Sequence, residues 1–282
     1  MTEFIKYAFL PLFLIALNTR SQCVLEFNKR FVESEDKWVV LKGDKNSSYM
    51  YGFIYIDPQA GLTLHYQGYF NIAETGVFIP KKSDSINLKV RLQPNNVLVA
   101  WIPEYKFLEL KIEPEPAWLK YYKTDTTSVE HLYRWGYLYN GWGECTKALT
   151  YLEKAQKINP EFKGLYNELA FSYNCLGEYV KTIQVLASEL KKNETDAYAY
   201  KELIYAQINL GHLDQAAESC ERALKVCRDT TYHGENCYNL LHHYYLKRDT
   251  HNFRIWLIET RKWTKHNSRF TKSIEIMTKE IL

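Results

Sequence analysis

The residues able to do covalent or metal chemistry are few and scattered. Six cysteines and eight histidines occur among 282 residues. No Cys-x-x-Cys, His-Glu-x-x-His, glycine-rich phosphate loop or nucleophile elbow is present, so the familiar metal, nucleotide and hydrolase signatures are absent. Cys227, His233 and Cys237 lie close together, yet a fourth zinc ligand at regular spacing is missing. Neither a metal nor a cofactor is expected. The adjacent His242 and His243 fall on different faces of a helix and do not act as a pair. Cys220 and Cys227 are two helical turns apart, about 10 Å by the rise per residue, too far to bridge. Cys227 and Cys237 flank a segment able to turn back, Asp229 to Glu235, and are the candidate pair for a disulfide. Cys145 and Cys175 read as small packed residues at turns.

Those residues must be positioned by two kinds of element. From Lys37 to Ile102 the apolar pattern alternates with period two. In the stretch from Leu62 to Ile72, Leu62, Leu64, Tyr66, Phe70 and Ile72 share one face while Thr63, His65, Gln67 and Asn71 take the other. Further strands are expected at 37–41, 49–56, 76–79, 86–92 and 97–102, separated by Asp57-Pro58 with Gly61, Thr75-Gly76 and Pro94-Asn95-Asn96. Short strands without intervening long helices predict a small antiparallel sandwich or barrel over 22–118. The run Glu113-Pro-Glu-Pro116 leads out of it through a junction at 119–128, and from Thr127 onward the period is helical. The expected fold class is therefore α+β with two domains, the second all-α.

The amino terminus predicts export. Lys6 precedes an apolar stretch from Tyr7 to Leu17 that is short for a bilayer span, and Thr19 and Ser21 suit the small subsites of a cleavage site. Residues 1–21 are read as a signal peptide and the mature chain as having no integral span. An uncleaved anchor is the alternative. Periplasmic or envelope-associated location follows as an expectation, and with it an oxidising environment. The formal charge of +3, with basic and acidic residues intermixed, argues against a nucleic-acid partner.

A single period dominates the helical region. Gly143, Gly177 and Gly211 are spaced by 34 residues, and the same register aligns Ala148 with Thr182 and Ala216, Leu152 with Leu186 and Cys220, Trp135 with Leu169 and Leu203, and Tyr139 with Tyr173 and Gln207. Trp135, Gly136, Tyr139, Gly143, Ala148, Leu152, Ala155 and Pro160 carry the pattern in full. Small residues there let two helices approach and large ones fill the space between successive pairs. Residues 129–230 closely resemble the tetratricopeptide repeat family, with three repeats followed by a degenerate fourth and a capping helix over 231–282. That resemblance implies a helical solenoid whose first helices line a concave groove for an extended peptide or a partner's helix. By register the groove residues are Tyr133, Tyr137 and Asn140, then Asn167, Phe171 and Asn174, then Tyr198, Lys201 and Tyr205. An asparagine amide can hold both the N–H and the C=O of a bound strand, and the rings supply apolar area. The implied function is a non-catalytic adaptor or scaffold for a protein or peptide partner within an envelope complex. Two alternatives stand beside it: that these aromatics pack inside the protein, and that Tyr49, Tyr51, Tyr55, His65, Tyr66 and Tyr69 make the strand domain a glycan-binding platform.

Overall fold

The computed structural model describes residues 25–43, 48–81, 88–264 and 268–282. The leader expected at 1–21 lies outside the described residues. Seven strands are formed among the described residues: β1 (Lys29–Arg30), β2 (Lys37–Leu41), β3 (Tyr49–Asp57), β4 (Gly61–Ile72), β5 (Phe78–Pro80), β6 (Lys89–Arg91) and β7 (Leu98–Trp101). They make one sheet in the order β1-β7-β2-β3-β4-β5, with β6 pairing β4. β4 is long enough to share its outer edge. The Tyr66 N–H bonds Leu88 and the Leu92 N–H bonds Leu62 at one end, whereas Phe70 to Ile72 pair with β5 at the other. Among the described residues this is a single open path, so the expected two-layer sandwich or closed barrel is corrected to one sheet. The reason is long-range: β7 returns to sit between β1 and β2, with Val99 opposite both Lys29 and Leu41.

Ten α-helices follow or flank the sheet among the described residues: α1 (Phe107–Leu110), α2 (Val129–Gly141), α3 (Cys145–Ile158), α4 (Leu165–Cys175), α5 (Tyr179–Lys192), α6 (Ala197–Asn209), α7 (Leu213–Val226), α8 (His233–Leu246), α9 (Thr250–Thr264) and α10 (Ser268–Ile281). The chain divides into two compact units. One comprises most of the sheet with the segment through Pro116. The other comprises the helices from Ala117 onward together with 55–64 and 90–96, the ends of β3, β4 and their neighbour β6.

The first unit is built around Trp38, Val39, Phe53, Phe70, Phe78 and Val99, all buried. The Trp38 ring meets Phe53 edge-on at 5.1 Å, and its indole N–H donates to the Glu113 carbonyl at 2.8 Å. In the second unit, helices pair as α2 with α3, α4 with α5, α6 with α7 and α8 with α9, and α10 packs on α8 and α9. The small residue at 136 is obligatory, because a Cβ there would stand 2.4 Å from the Leu152 side chain. Gly143, Gly177 and Gly211 end the first three leading helices at φ of 76°, 75° and 79°, the left-handed region that an L side chain enters at a cost of about 1 kcal/mol. At the fourth turn that conformation falls to Arg248, φ 56°.

Two of the first helices, α2 and α6, start on side-chain caps. The Ser128 hydroxyl accepts the His131 N–H, and the Asp196 carboxylate accepts the Ala199 N–H at 2.9 Å. Leu240, Tyr244, Phe253 and Trp256 then join Phe270, Ile274 and Met277 in one apolar core, so the last helix covers the face that an end repeat would otherwise expose.

A disulfide joins Cys145, at the start of α3, to Cys175, at the end of α4, with Cα atoms 6.3 Å apart. The candidate Cys227–Cys237 bridge is not formed. Both are buried free thiols, as is Cys220. Successive hairpins stack in the same direction, so the start of one second helix and the end of the next first helix meet at the turn side. That meeting decides the pairing, and sequence proximity does not.

Candidate partner-binding cleft

The nine groove residues fall into two kinds by burial and by partners. Asn140 and Asn174 are 4% and 6% exposed. Asn140 Nδ2 donates to the Glu168 carbonyl and to Glu168 Oε2, each at 2.9 Å, while its Oδ1 accepts the Ser172 hydroxyl at 2.7 Å. Asn174 repeats the arrangement one hairpin later, donating to the Glu202 carbonyl at 2.9 Å and to Glu202 Oε2 at 2.8 Å. These amides are rungs between hairpins. The role of holding a bound strand's backbone is therefore corrected for both. Asn167 is likewise engaged, with Nδ2 donating to Asp196 Oδ2 at 2.9 Å.

Lys201 is enclosed as well. Its Nζ lies 2.6 Å from Glu202 Oε1 and 5.0, 5.9 and 6.0 Å from the ring centres of Tyr198, Tyr232 and Phe171. An ammonium so neutralised and ringed by aromatic faces is a packing element between α4 and α6, not a free anchor for a carboxylate. Tyr198 sits edge-on to Tyr232 at 5.6 Å. Burial, with Glu202 and Glu168 nearby, pushes its hydroxyl well above the usual tyrosine range.

The remaining aromatics are presented outward. Tyr137 is 59% exposed and Tyr205 42%. Phe171 and Tyr133 are half-buried. Tyr133 stacks on Phe162 at 5.0 Å and lies 6.5 Å from Tyr137. Its hydroxyl is pushed up to about 12 by burial, with the charge of Glu168 adding to the effect.

Tyr137, Asn140, Glu168, Phe171 and Tyr198 line one cleft of about 510 Å³, contributed by α2, α4 and α6. Arg134 and Trp142 extend its wall, and Gln59 and Arg91, from the strand ends that belong to the same unit, close the opposite side. Sequence reasoning missed Glu168 and Glu202, although they too are 34 apart and would have marked the rung partners. It also missed Arg134, Gln59 and Arg91.

Glu168 is the cleft's one carboxylate. Burial raises its carboxyl to about 6; the Asn140 amide opposes the rise and the charge of Glu202 adds to it. A general acid–base pair would need a second carboxylate, and His65 is not among the lining residues. Among the described residues no cluster of three or more His, Cys, Asp or Glu could hold a metal, and no helix is long and apolar enough to cross a membrane. Two of the tyrosines named for the alternative sugar platform turn inward. Tyr51 and Tyr55 are buried, and Tyr55 packs edge-on against Trp118 at 5.0 Å and Tyr122 at 4.7 Å.

No protein-family model matches the chain. A curated relative, the TPR repeat-containing protein MJ0940 of Methanocaldococcus jannaschii, is 34% identical over 90 residues, which is 32% of this chain and 28% of that protein. The match thus spans under a third of the relative's length. Among solved structures, MamA MSR-1 is 21% identical with a TM-score of 0.43, covering 53% of this chain and 83% of that one. MamA AMB-1 is 19% identical with the same TM-score of 0.43, covering 51% and 83%. The five 34-residue columns, the stacked helix hairpins that realise them and the repeat-containing relative lead to one conclusion: the helical array of this chain is similar to that of tetratricopeptide-repeat proteins.

Proposed function

We propose that this chain is a non-catalytic adaptor of the cell envelope, holding an extended segment of a partner protein in the cleft lined by α2, α4 and α6. The observation that carries the reading is an aromatic row at one-repeat intervals on the first helices: Tyr137 and Phe171 line the cleft, and Tyr205 is exposed one repeat further along. Rings on a rigid frame bind with little ordering entropy, and their apolar faces accept a range of segments. Repeat arrays of this kind bind partners on an extended concave surface. Export is supported by the apolar stretch from Tyr7 to Leu17 and by the Cys145–Cys175 bridge, since such bridges persist in oxidising compartments.

The test is co-purification from envelope fractions with tagged wild type beside a Tyr137→Ala, Phe171→Ala, Tyr205→Ala variant, both checked for helicity by circular dichroism. A partner held by the wild type and lost by the folded variant supports the cleft. The same partners on both would overturn it.

A further inference from the structure

Two free cysteines occupy positions that the other repeats give to large apolar residues. Cys220 continues the column of Leu152 and Leu186 on the second helices. Cys237, on α8, continues that of Trp135, Leu169 and Leu203 on the first helices. The leucines of the preceding junctions, Leu152 with Leu169 and Leu186 with Leu203, are each 17 residues apart, and Cys220 and Cys237 have the same separation of 17. At the third junction, therefore, a leucine pair is replaced on both sides by cysteine. Both are 0% exposed, and their Sγ atoms lie 4.0 Å apart across the α7–α8 interface.

We propose that Cys220 and Cys237 are a disulfide site: in the oxidised protein they bond to each other and staple the fourth hairpin to the third. The sulfurs already touch, and a bond needs them about 2 Å closer, within reach of a rotation about χ1 at one or both residues. The substitution is reciprocal, whereas a single cysteine in either column would leave an unfilled site facing a leucine. A bridge of the same kind is already present: Cys145–Cys175 joins the first hairpin to the second, from a second helix to the next first helix. The array would then be stapled at its first and third junctions and free at its second.

The chemistry is thiol–disulfide exchange with a disulfide oxidant, such as oxidised glutathione or an oxidoreductase disulfide. One thiolate attacks the oxidant and releases one thiol, and the second thiolate then displaces the mixed disulfide and releases another. Two protein thiols are oxidised and one oxidant disulfide is reduced. Because both sulfurs are fully buried in the assembled junction, the exchange belongs to folding, before α8 docks on α7, or to transient opening of that junction.

Trypsin separates the three free thiols of the described residues cleanly, and Cys23 falls in a peptide of its own, Ser21–Lys29. Cys220 falls in the peptide Glu202–Arg222, Cys227 in Val226–Arg228 and Cys237 in Asp229–Lys247. The protein is unfolded, reduced and refolded in a glutathione redox buffer, denatured with alkylating agent and digested without reduction. The expected result is a linked Glu202–Arg222 and Asp229–Lys247 species, an alkylated Cys227, and an intact mass about 2 Da below that of the single-bridge form by loss of two hydrogens. Refolded Cys227→Ser should give the same linkage. Alkylated Cys220 and Cys237 in the folded, oxidised wild type, or a linkage of Cys237 to Cys227, would overturn the proposal.

Discussion

At the first and second repeat junctions an asparagine amide reaches from one hairpin to the glutamate of the next, Asn140 to Glu168 and Asn174 to Glu202. At the third junction the same register holds Ile208 and Asn236, and no such rung forms between them. Ile208 is buried, and the Asn236 Oδ1 is buried without a hydrogen-bond partner. The contrast separates two tasks. Directional bonds fix the hairpins that build the cleft, and apolar packing with a cysteine pair holds the hairpin that closes the array. The two rungs themselves are unequal. Ser172 completes the first, but its counterpart one repeat later is Ala206, which leaves Asn174 Oδ1 unpartnered.

The first junction carries both a rung and the Cys145–Cys175 bridge, so breaking it should have the largest effect. Cys145→Ala with Cys175→Ala opens a loop with a sequence separation of 30 and is expected to lower stability by about 3 to 4 kcal/mol in urea unfolding. A loss under about 1 kcal/mol would show that the bridge adds little to the packed junction.

Asn140→Ala should come next, at about 2 to 3 kcal/mol, since it strips a donor from a buried carboxylate and an acceptor from Ser172. Asn174→Ala should cost less, about 1 to 2 kcal/mol, because one of its amide atoms is already unsatisfied. Equal losses, measured by the same unfolding midpoints, would remove the distinction drawn between the rungs.

Glu168 sharpens the comparison through pH. Its folded-state value of about 6 lies above the unfolded glutamate value of about 4.3, so the folded state favours the neutral carboxyl. The stabilisation is full below about pH 4.3 and is lost as pH rises through about 6, amounting to about 2 kcal/mol. Glu168→Gln keeps an acceptor for Asn140 without the ionisation, so its advantage over wild type should grow by that amount from pH 4.3 to 7.5. Parallel stability curves for the two proteins would show that burial does not govern this carboxyl.

The smallest effect on stability belongs to the cleft's outward ring. Tyr137→Ala should change unfolding free energy by no more than about 0.5 kcal/mol, because the side chain is mostly exposed, while weakening partner binding. A larger loss would mean that Tyr137 is a structural residue after all.

Much of this organisation was legible in the amino-acid order. Period-two alternation located the strands: Lys37–Leu41 is formed as expected, and β4, Gly61–Ile72, begins one residue earlier than expected. The glycine column located the turns, because only φ > 0 suits those positions. What was not legible depended on partners distant in sequence. A two-residue strand such as β1 has no periodicity of its own and exists through β7. Asn140 and Asn174 looked like groove residues because their spacing and chemistry fit. The glutamates that engage them are 28 residues further on, brought alongside only by the next hairpin. The bridge between Cys145 and Cys175 was hidden in the same way, since it joins positions that meet only when one hairpin stacks on the next.

The most direct test of the concave cleft as the working surface is site-specific photocrosslinking in envelope preparations. A photoreactive phenylalanine analogue would replace Tyr137 or Tyr205 on the first helices, or Val180 or Ile258, exposed residues on the second helices. The account predicts one shared partner crosslinked from 137 and 205 and none from 180 or 258. The same partner captured from 180 or 258, with 137 and 205 silent, would contradict it.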